Sequence, residues 1–377
     1  MKDLYWVGIK ESDIDGCENL YEGSITILGS GINGNISYSS TAEERINHND
    51  IKNLGKVTEW INSTLLKILE NNSNAKFMFY NQRSMYEYDE AIRRNSICCN
   101  NKDLIDNINN KFFMRDWMKN YIPVLNYEYC SGLEIMAKDY KEQLVVQAKN
   151  SNGGSHTFIL NQRTINEVKL NKEEIYSVSK YCEKNIPINI HCVISEKEIS
   201  LFPSLIQLIR INNTISSRGC DFIEYRKVKN EIKEKVEKYS LKVCENLRQK
   251  GYVGILGIDY IIYEDEVYLM EVNPRFQSST NVLNIALNEK NQKTLNELCI
   301  RAFNNENIES SEIDVNYSKY IFEEDDIINE LKVPYYKKKE DGFNENQKIV
   351  SGAYKYSCIY DTNICNIIDN SYIEIVD

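Results

Sequence analysis

Apolar residues recur along this chain at two alternating periods, and the switches between them mark out its elements. In the first hundred residues the strand-like runs "LYWVGI", "SITILGSG" and "KFMFYN" surround a stretch from about residue 51 to 69. There Leu54, Val57, Ile61, Leu65 and Ile68 share one face at helical spacing, which predicts a small α/β unit. From about Asp103 the run "DLIDNINNKFFMRDWMKN" reads as a single helix, closed at "YIPV" because Pro123 cannot continue it. A strand over residues 142–149 then passes through the glycine turn "NSNGGSHTF" to a second strand from Thr157. Between residues 227 and 250, Val228, Ile232, Val236, Tyr239, Val243 and Leu247 form one stripe of a long helix, with Gly251 as its stop. The last stretch, from about Ser310, mixes strand-like runs such as "YSCIYD" and "SYIEIV", and no internal repeat is visible.

After the long helix come two β-rich runs joined by an acidic turn, "YVGILGIDYIIYEDEVYLMEVNPRF". With Glu264 to Glu266 taken as a three-residue loop, Tyr263 faces Val267 and Asp259 falls opposite Glu271. Asn273, two residues beyond Glu271, projects from the same face. Two carboxylates and an amide oxygen then converge. Like charges directly opposite destabilise a sheet, so this pairing calls for a counter-charge, and a hard divalent cation that prefers oxygen is the natural one. A two-residue turn would instead move Asp259 to the other face and leave an exposed acidic hairpin. Spacing alone leaves both readings open.

Composition narrows the classes. The 377 residues carry a net charge of −11 with both signs interspersed, which argues against a nucleic-acid partner, since such a chain would show a basic face. The 11 cysteines include no C-x-x-C pair and read as reduced, buried thiols. The N-terminus lacks an apolar signal region and no run is long enough to span a membrane, so we expect a cytoplasmic protein without a membrane partner. The run "GSGING" does not match G-x-G-x-x-G and reads as a turn. The Gly153–Gly154 pair fits a plain hairpin turn, or a turn whose backbone N–H groups face a phosphate. His156 and His191 are isolated and read as ordinary hydrogen-bonded or surface residues.

Taken together, these residues resemble a known family. A helix bearing Lys111, a strand ending in a Gly-rich hairpin, the run "KYCEKNIPINIHCVI", a long helix, "GIDYI" and "MEVNPRF" follow in the order of the ATP-grasp superfamily, over roughly residues 103–310. The continuation "NPRFQSST" looks most like the branch of carbamoyl-phosphate synthetase, biotin carboxylase and carboxylate-amine ligases. The resemblance implies an α/β (α+β) ATP-grasp fold. A pre-ATP-grasp domain (1–102) would precede a small lobe with the phosphate loop (103–186) and a large lobe with the metal site (187–377), the antiparallel sheets clamping the nucleotide.

It further implies Asp259, Glu271 and Asn273 as ligands of Mg²⁺ or Mn²⁺, and Arg275 as the arginine that meets the transferred phosphate. Ser151, Gly153, Gly154 and Ser155 match the loop that closes over the phosphates of ATP, and Lys111 a phosphate-contacting lysine. Lys180, Tyr181 and Cys182 stand where the adenine hinge is expected, with Asn189 and His191 on the next strand facing the nucleotide. Members commonly read V-V-K-P before the loop, whereas this chain reads "VVQAK". Gln147 takes the lysine's place, and Lys149, two residues on, would supply the charge from the same side. Of Arg210, Arg218 and Arg226, Arg218 is the candidate for the substrate carboxylate.

The implied reaction activates a small carboxylic acid, such as an amino acid or peptide, as an acyl phosphate and joins it to an amine, releasing ADP and phosphate. The partners would be these small molecules, with a homodimer as a family habit. The alternatives are a bicarbonate-using synthetase or carboxylase, which lacks support from a biotin-carrier or glutaminase motif here, and an ATP-binding regulatory module without turnover.

Overall fold

The computed structural model describes residues 3–28, 36–39, 54–138, 140–149, 156–161, 164–165, 168–212, 214–323, 336–338 and 354–375. The first unit is a parallel sheet of β1 (Leu4–Lys10), β2 (Gly23–Leu28), β3 (Ile36–Ser39), β4 (Lys76–Phe79) and β5 (Ser96–Ile97). The strand order is β3-β2-β1-β4-β5, so the direction of winding reverses between β1 and β4. The Leu54–Asn71 helix lays Val57, Ile61, Leu65 and Ile68 on one face of this sheet, against Tyr5, Val7 and Phe77. "GSGING" lies outside the described residues.

Where the sequence predicts one helix from Asp103, the chain forms two, Lys102–Asn109 and Lys111–Met118. Asn110 breaks them. Its backbone is extended and its side chain accepts from the Phe113 amide at 3.3 Å, an N-cap that competes with helix continuation. The second helix is thereby re-aimed, and it buries Lys111, Met114, Arg115 and Met118.

A small antiparallel sheet follows, made of β6 (Tyr127–Ser131), β7 (Leu144–Ala148), β8 (Thr157–Leu160) and β9 (Ile175–Lys180) in the order β6-β9-β7-β8. The large antiparallel sheet contains β10 (Ile186–Ile194), β11 (Ile199–Leu201), β12 (Leu205–Asn212), β13 (Thr214–Asp221), β14 (Gly254–Tyr263) and β15 (Glu266–Asn273). It continues through β16 (Ser318–Glu323), β17 (Tyr336–Lys338) and β18 (Tyr354–Tyr360).

The Asn230–Gln249 helix buries Ile232, Val236, Val243 and Leu247 on one side of that sheet, together with Ile188 and Leu256. A second core joins the first unit to the rest. Trp6, Tyr21 and Met78 pack with Phe276, Val282 and Leu298, so the parallel sheet is seated on the segment that follows β15. All eleven cysteines are thiols, and all but Cys98 and Cys99 are buried. No helix among the described residues is long and apolar enough to cross a membrane.

Candidate active site

The β14–β15 hairpin reaches its geometry by a route that spacing did not anticipate. Its turn has two residues, Glu264 and Asp265, both at positive φ, and Tyr263 pairs with Glu266. Carried straight through, that register would place Asp259 and Glu271 on opposite faces. A β-bulge between Asp259 and Tyr260 absorbs one residue of β15, and Asp259 pairs with Glu271 after all. The three-residue loop is therefore corrected, while the facing carboxylates stand.

A ring of amides holds Asp259. One carboxylate oxygen accepts from Asn189 at 2.6 Å and Gln207 at 2.9 Å, and the other from Asn273 at 2.8 Å. Burial, followed by the charge of Glu271, pushes its carboxyl up to about 6, with the Asn189 hydrogen bond, Arg275 and Lys111 pulling the other way. Lys111, only 5% exposed, reaches across from its helix to Glu271 at 2.8 Å. Arg275 donates to the Asn273 side-chain oxygen at 3.2 Å and to the Tyr80 hydroxyl at 3.3 Å, with its guanidinium against the Tyr80 ring.

Apart from Asn189, these groups line one cavity of about 850 Å³ between the two antiparallel sheets and the parallel one. Its size is near the top of the ~300–1,000 Å³ range of small-molecule sites. Among the described residues no three His, Cys, Asp or Glu side chains cluster as a metal site. The donor set is thus two carboxylates and an amide oxygen, which suits Mg²⁺, an ion that usually takes one or two carboxylates and completes its shell with phosphate and water.

Other expected residues separate into those that reach the cavity and those that do not. Lys180, Tyr181 and Cys182 line it, as does Gln147. Lys149 does not replace the missing lysine: it is exposed beyond the end of β7 and absent from the cavity wall. The cation beside Gln147 is Arg115, which donates to Gln147 Oε1 at 2.6 Å and to Ser177 Oγ at 2.7 Å. Asn189 does not face a nucleotide directly, being almost fully buried behind Asp259 and also donating to Gln277 at 2.9 Å.

His191 is sealed in the core, where burial lowers its pKa to about 3, and its Nε2 lies 3.3 Å from the Thr280 hydroxyl. Arg218 is fully buried with its guanidinium 5.3 Å from the centre of the Tyr320 ring, while its neighbour Ser217 lines the cavity. A bulge in the β12–β13 pairing sets Arg218 between the paired residues Ser217 and Gly219, away from the cavity wall. Arg226 is tied to Val315 and Asn316. Ser151, Gly153, Gly154 and Ser155 lie outside the described residues.

Arg115, Gln207, Gln277 and Tyr80 were not read from the sequence. Arg115 was the most accessible of them, lying four residues after Lys111 on the same helical face. Gln277 leaves a second signal in Gly257, where a Cβ would fall 1.0 Å from the Gln277 side-chain nitrogen. Only glycine admits that amide at the back of Asp259.

Residues 108–279 match the ATP-grasp domain family. This stretch is an ATP-grasp domain. The carbamoyl phosphate synthase large chain of Helicobacter pylori is 25% identical over 153 residues, 38% of this chain and 14% of that one. The chain therefore spans a small part of the length of such curated relatives. Solved structures share the fold of nearly the whole chain. Phosphoribosylamine–glycine ligase from Thermotoga maritima covers 95% of it and 93% of itself, at TM-score 0.64 and 14% identity. N5-carboxyaminoimidazole ribonucleotide synthetase from Thermus thermophilus covers 95% and 93%, at TM-score 0.61 and 11% identity. The biotin carboxylase domain of the Hydrogenobacter thermophilus 2-oxoglutarate carboxylase, solved with MgADP and bicarbonate, covers 95% and 86% at TM-score 0.63 and 14% identity.

Proposed function

We propose that the chain is an ATP-dependent, ADP-forming ligase that activates a small carboxylic acid, amino acids and peptides included, and joins it to an amine. The observation that carries this reading is the convergence of Asp259, Glu271, Asn273 and Arg275 with Lys111 and Arg115 in one cleft between two antiparallel sheets. Phosphoryl transfer asks a protein for positioning and charge neutralisation more than for a nucleophilic side chain, and this cleft supplies both.

Lys180, Tyr181 and Cys182 frame the base, and Lys111 and Arg115 face the phosphates. Asp259, Glu271 and Asn273 would hold Mg²⁺, which would neutralise phosphate oxygens. A carboxylate oxygen of the acid attacks the γ-phosphorus, the bond to ADP breaks, and an acyl phosphate forms beside Arg275. The amine nitrogen then attacks the acyl carbon, a C–N bond forms, phosphate leaves, and the amine gives up a proton. Lys111 pairs with Glu271 at 2.8 Å, so it would share that carboxylate with the metal.

The test is ADP and phosphate release by the full chain with acids and amines offered singly and in pairs. Release that requires both an acid and an amine, and that falls by at least about a thousandfold in Glu271→Gln, supports the ligase. Release of AMP and pyrophosphate would overturn it.

A further inference from the structure

In a parallel sheet, ligands bind beyond the carboxyl ends of the strands where the winding direction reverses. Here that point lies between β1 and β4, and both strand ends open into the cleft. Val7 and Ile9 line it from β1, Tyr80 and Ser84 from beyond β4, with Ile61 and Tyr88 closing the side. Ile9 is 41% exposed, a large apolar side chain left uncovered inside a concave site.

This crevice abuts the reacting end of the cleft. The Phe276 amide donates to the Tyr80 carbonyl at 3.1 Å, and Gln82 donates to the Pro274 carbonyl at 2.9 Å, which fixes Arg275 against the end of β4. Arg275 is the cation at its mouth. Among the described residues, the wall that the parallel sheet and its helix contribute carries no Lys or Arg to receive a phosphate and no Asp or Glu to receive a second cation.

We propose that this crevice is the acid subsite, and that its ligand is a carboxylic acid with an apolar or aromatic body. The carboxylate lies at Arg275, within reach of the transferred phosphate, and the body lies between Ile9, Ile61 and Tyr88. Burial of apolar surface selects the body. The proposal rests on the ligase reading, which assigns the other part of the cleft to ATP.

The test measures ADP release from the full chain with Mg²⁺, ATP and a pool of amines. The acids are 3-phenylpropanoate, 4-methylpentanoate, phenylalanine, glutamate, 3-phosphoglycerate and bicarbonate. Turnover with the apolar members, at a kcat/KM at least about tenfold above the charged ones, is the expected result. In Ile9→Lys that preference falls about tenfold. Turnover confined to phosphoglycerate, glutamate or bicarbonate overturns the subsite and leaves the ligase standing.

If no acid supports turnover, the ligase reading fails, and the subsite is judged by calorimetric titration of 3-phenylpropanoate into the chain loaded with a non-hydrolysable ATP analogue and Mg²⁺. Binding that weakens in Ile9→Lys upholds it. Absence of binding, or binding indifferent to Ile9→Lys, overturns it.

Discussion

Two hairpins face each other across the cleft, and they hold their polar groups by different means. In β14–β15 the functional side chains sit on paired strands, and the amides that fix Asp259 belong to the same sheet or to the segment just after it. Asn189, Gln207 and Asn273 all donate to Asp259, and Gln277 backs Asn189. In β7–β8 the strand itself contributes only an amide. Gln147 pairs with Thr157 across the hairpin, and the charge reaches it from Arg115 on a separate helix. Around Asp259 one wall is a network closed within a sheet, with Lys111 reaching only Glu271 from outside it. The other is a neutral strand that borrows its cation through tertiary packing.

After Glu271→Gln, the largest expected effect comes from removing that borrowed cation. A hydrogen bond to a charged group contributes ~1.5–3 kcal/mol, so Arg115→Ala should raise the KM for ATP by about 10- to 100-fold. The same change leaves Gln147 and Ser177 buried without their donor, and thermal unfolding should register that cost separately. The comparison is sharpened by Gln147→Lys, which restores the family's strand lysine. Alone it places two cations side by side and should weaken ATP binding. Combined with Arg115→Ala it should recover most of the lost affinity. A double variant no better than Arg115→Ala would mean that the small sheet does not exchange one cation for the other.

A smaller effect is expected on the opposite wall. In Gly257→Ala the new methyl occupies the place of the Gln277 amide, which must swing away and release Asn189. Overpacking of this kind costs ~1–3 kcal/mol, and with the Asp259 clamp loosened we expect about a tenfold loss of kcat at unchanged KM for ATP. Adding Gln277→Ala clears the space for the methyl and should recover stability but not rate. Recovery of both would assign Gln277 to packing alone.

The same contrast explains what could be read from the sequence. Strand period and hairpin pairing are local properties, so Asp259, Glu271 and Asn273 were brought together by counting residues, even though the true register combines a shorter turn with a bulge. The elements around them were visible for the same reason, because apolar spacing fixes the buried face of the Leu54–Asn71 and Asn230–Gln249 helices. Arg115 was missed because the apolar pattern on both sides of Asn110 continues without a gap. Only the Asn110 cap, a competition between side chain and backbone, splits the helix and re-aims its second half. Arg218 was overvalued because an arginine between small residues looks like a ligand site. Whether its side chain enters a cleft or stacks on Tyr320 depends on a bulge and on a strand from the far end of the chain.

The smallest effect concerns the backing of the metal-side wall. His191 pairs with Gly257 on the neighbouring strand, and its ring nitrogen meets only the hydroxyls of Ser279 and Thr280. Burial lowers its pKa to about 3, against ~6.5 in the unfolded chain. At this residue the folded state therefore binds fewer protons than the unfolded state between those values, and the contribution of His191 to stability falls as pH drops below about 6.5. At 1.36 kcal/mol per pH unit, this one residue should cost about 2 kcal/mol between pH 7 and pH 5. His191→Gln removes the titration, so denaturant unfolding of the variant should show a shallower loss of stability over that range. The dry backing of β14 is then what makes its wall rigid at neutral pH and acid-sensitive below it. An unchanged pH slope in the variant would show instead that protonated His191 is accommodated, and that the amide ring around Asp259 keeps its geometry without that backing.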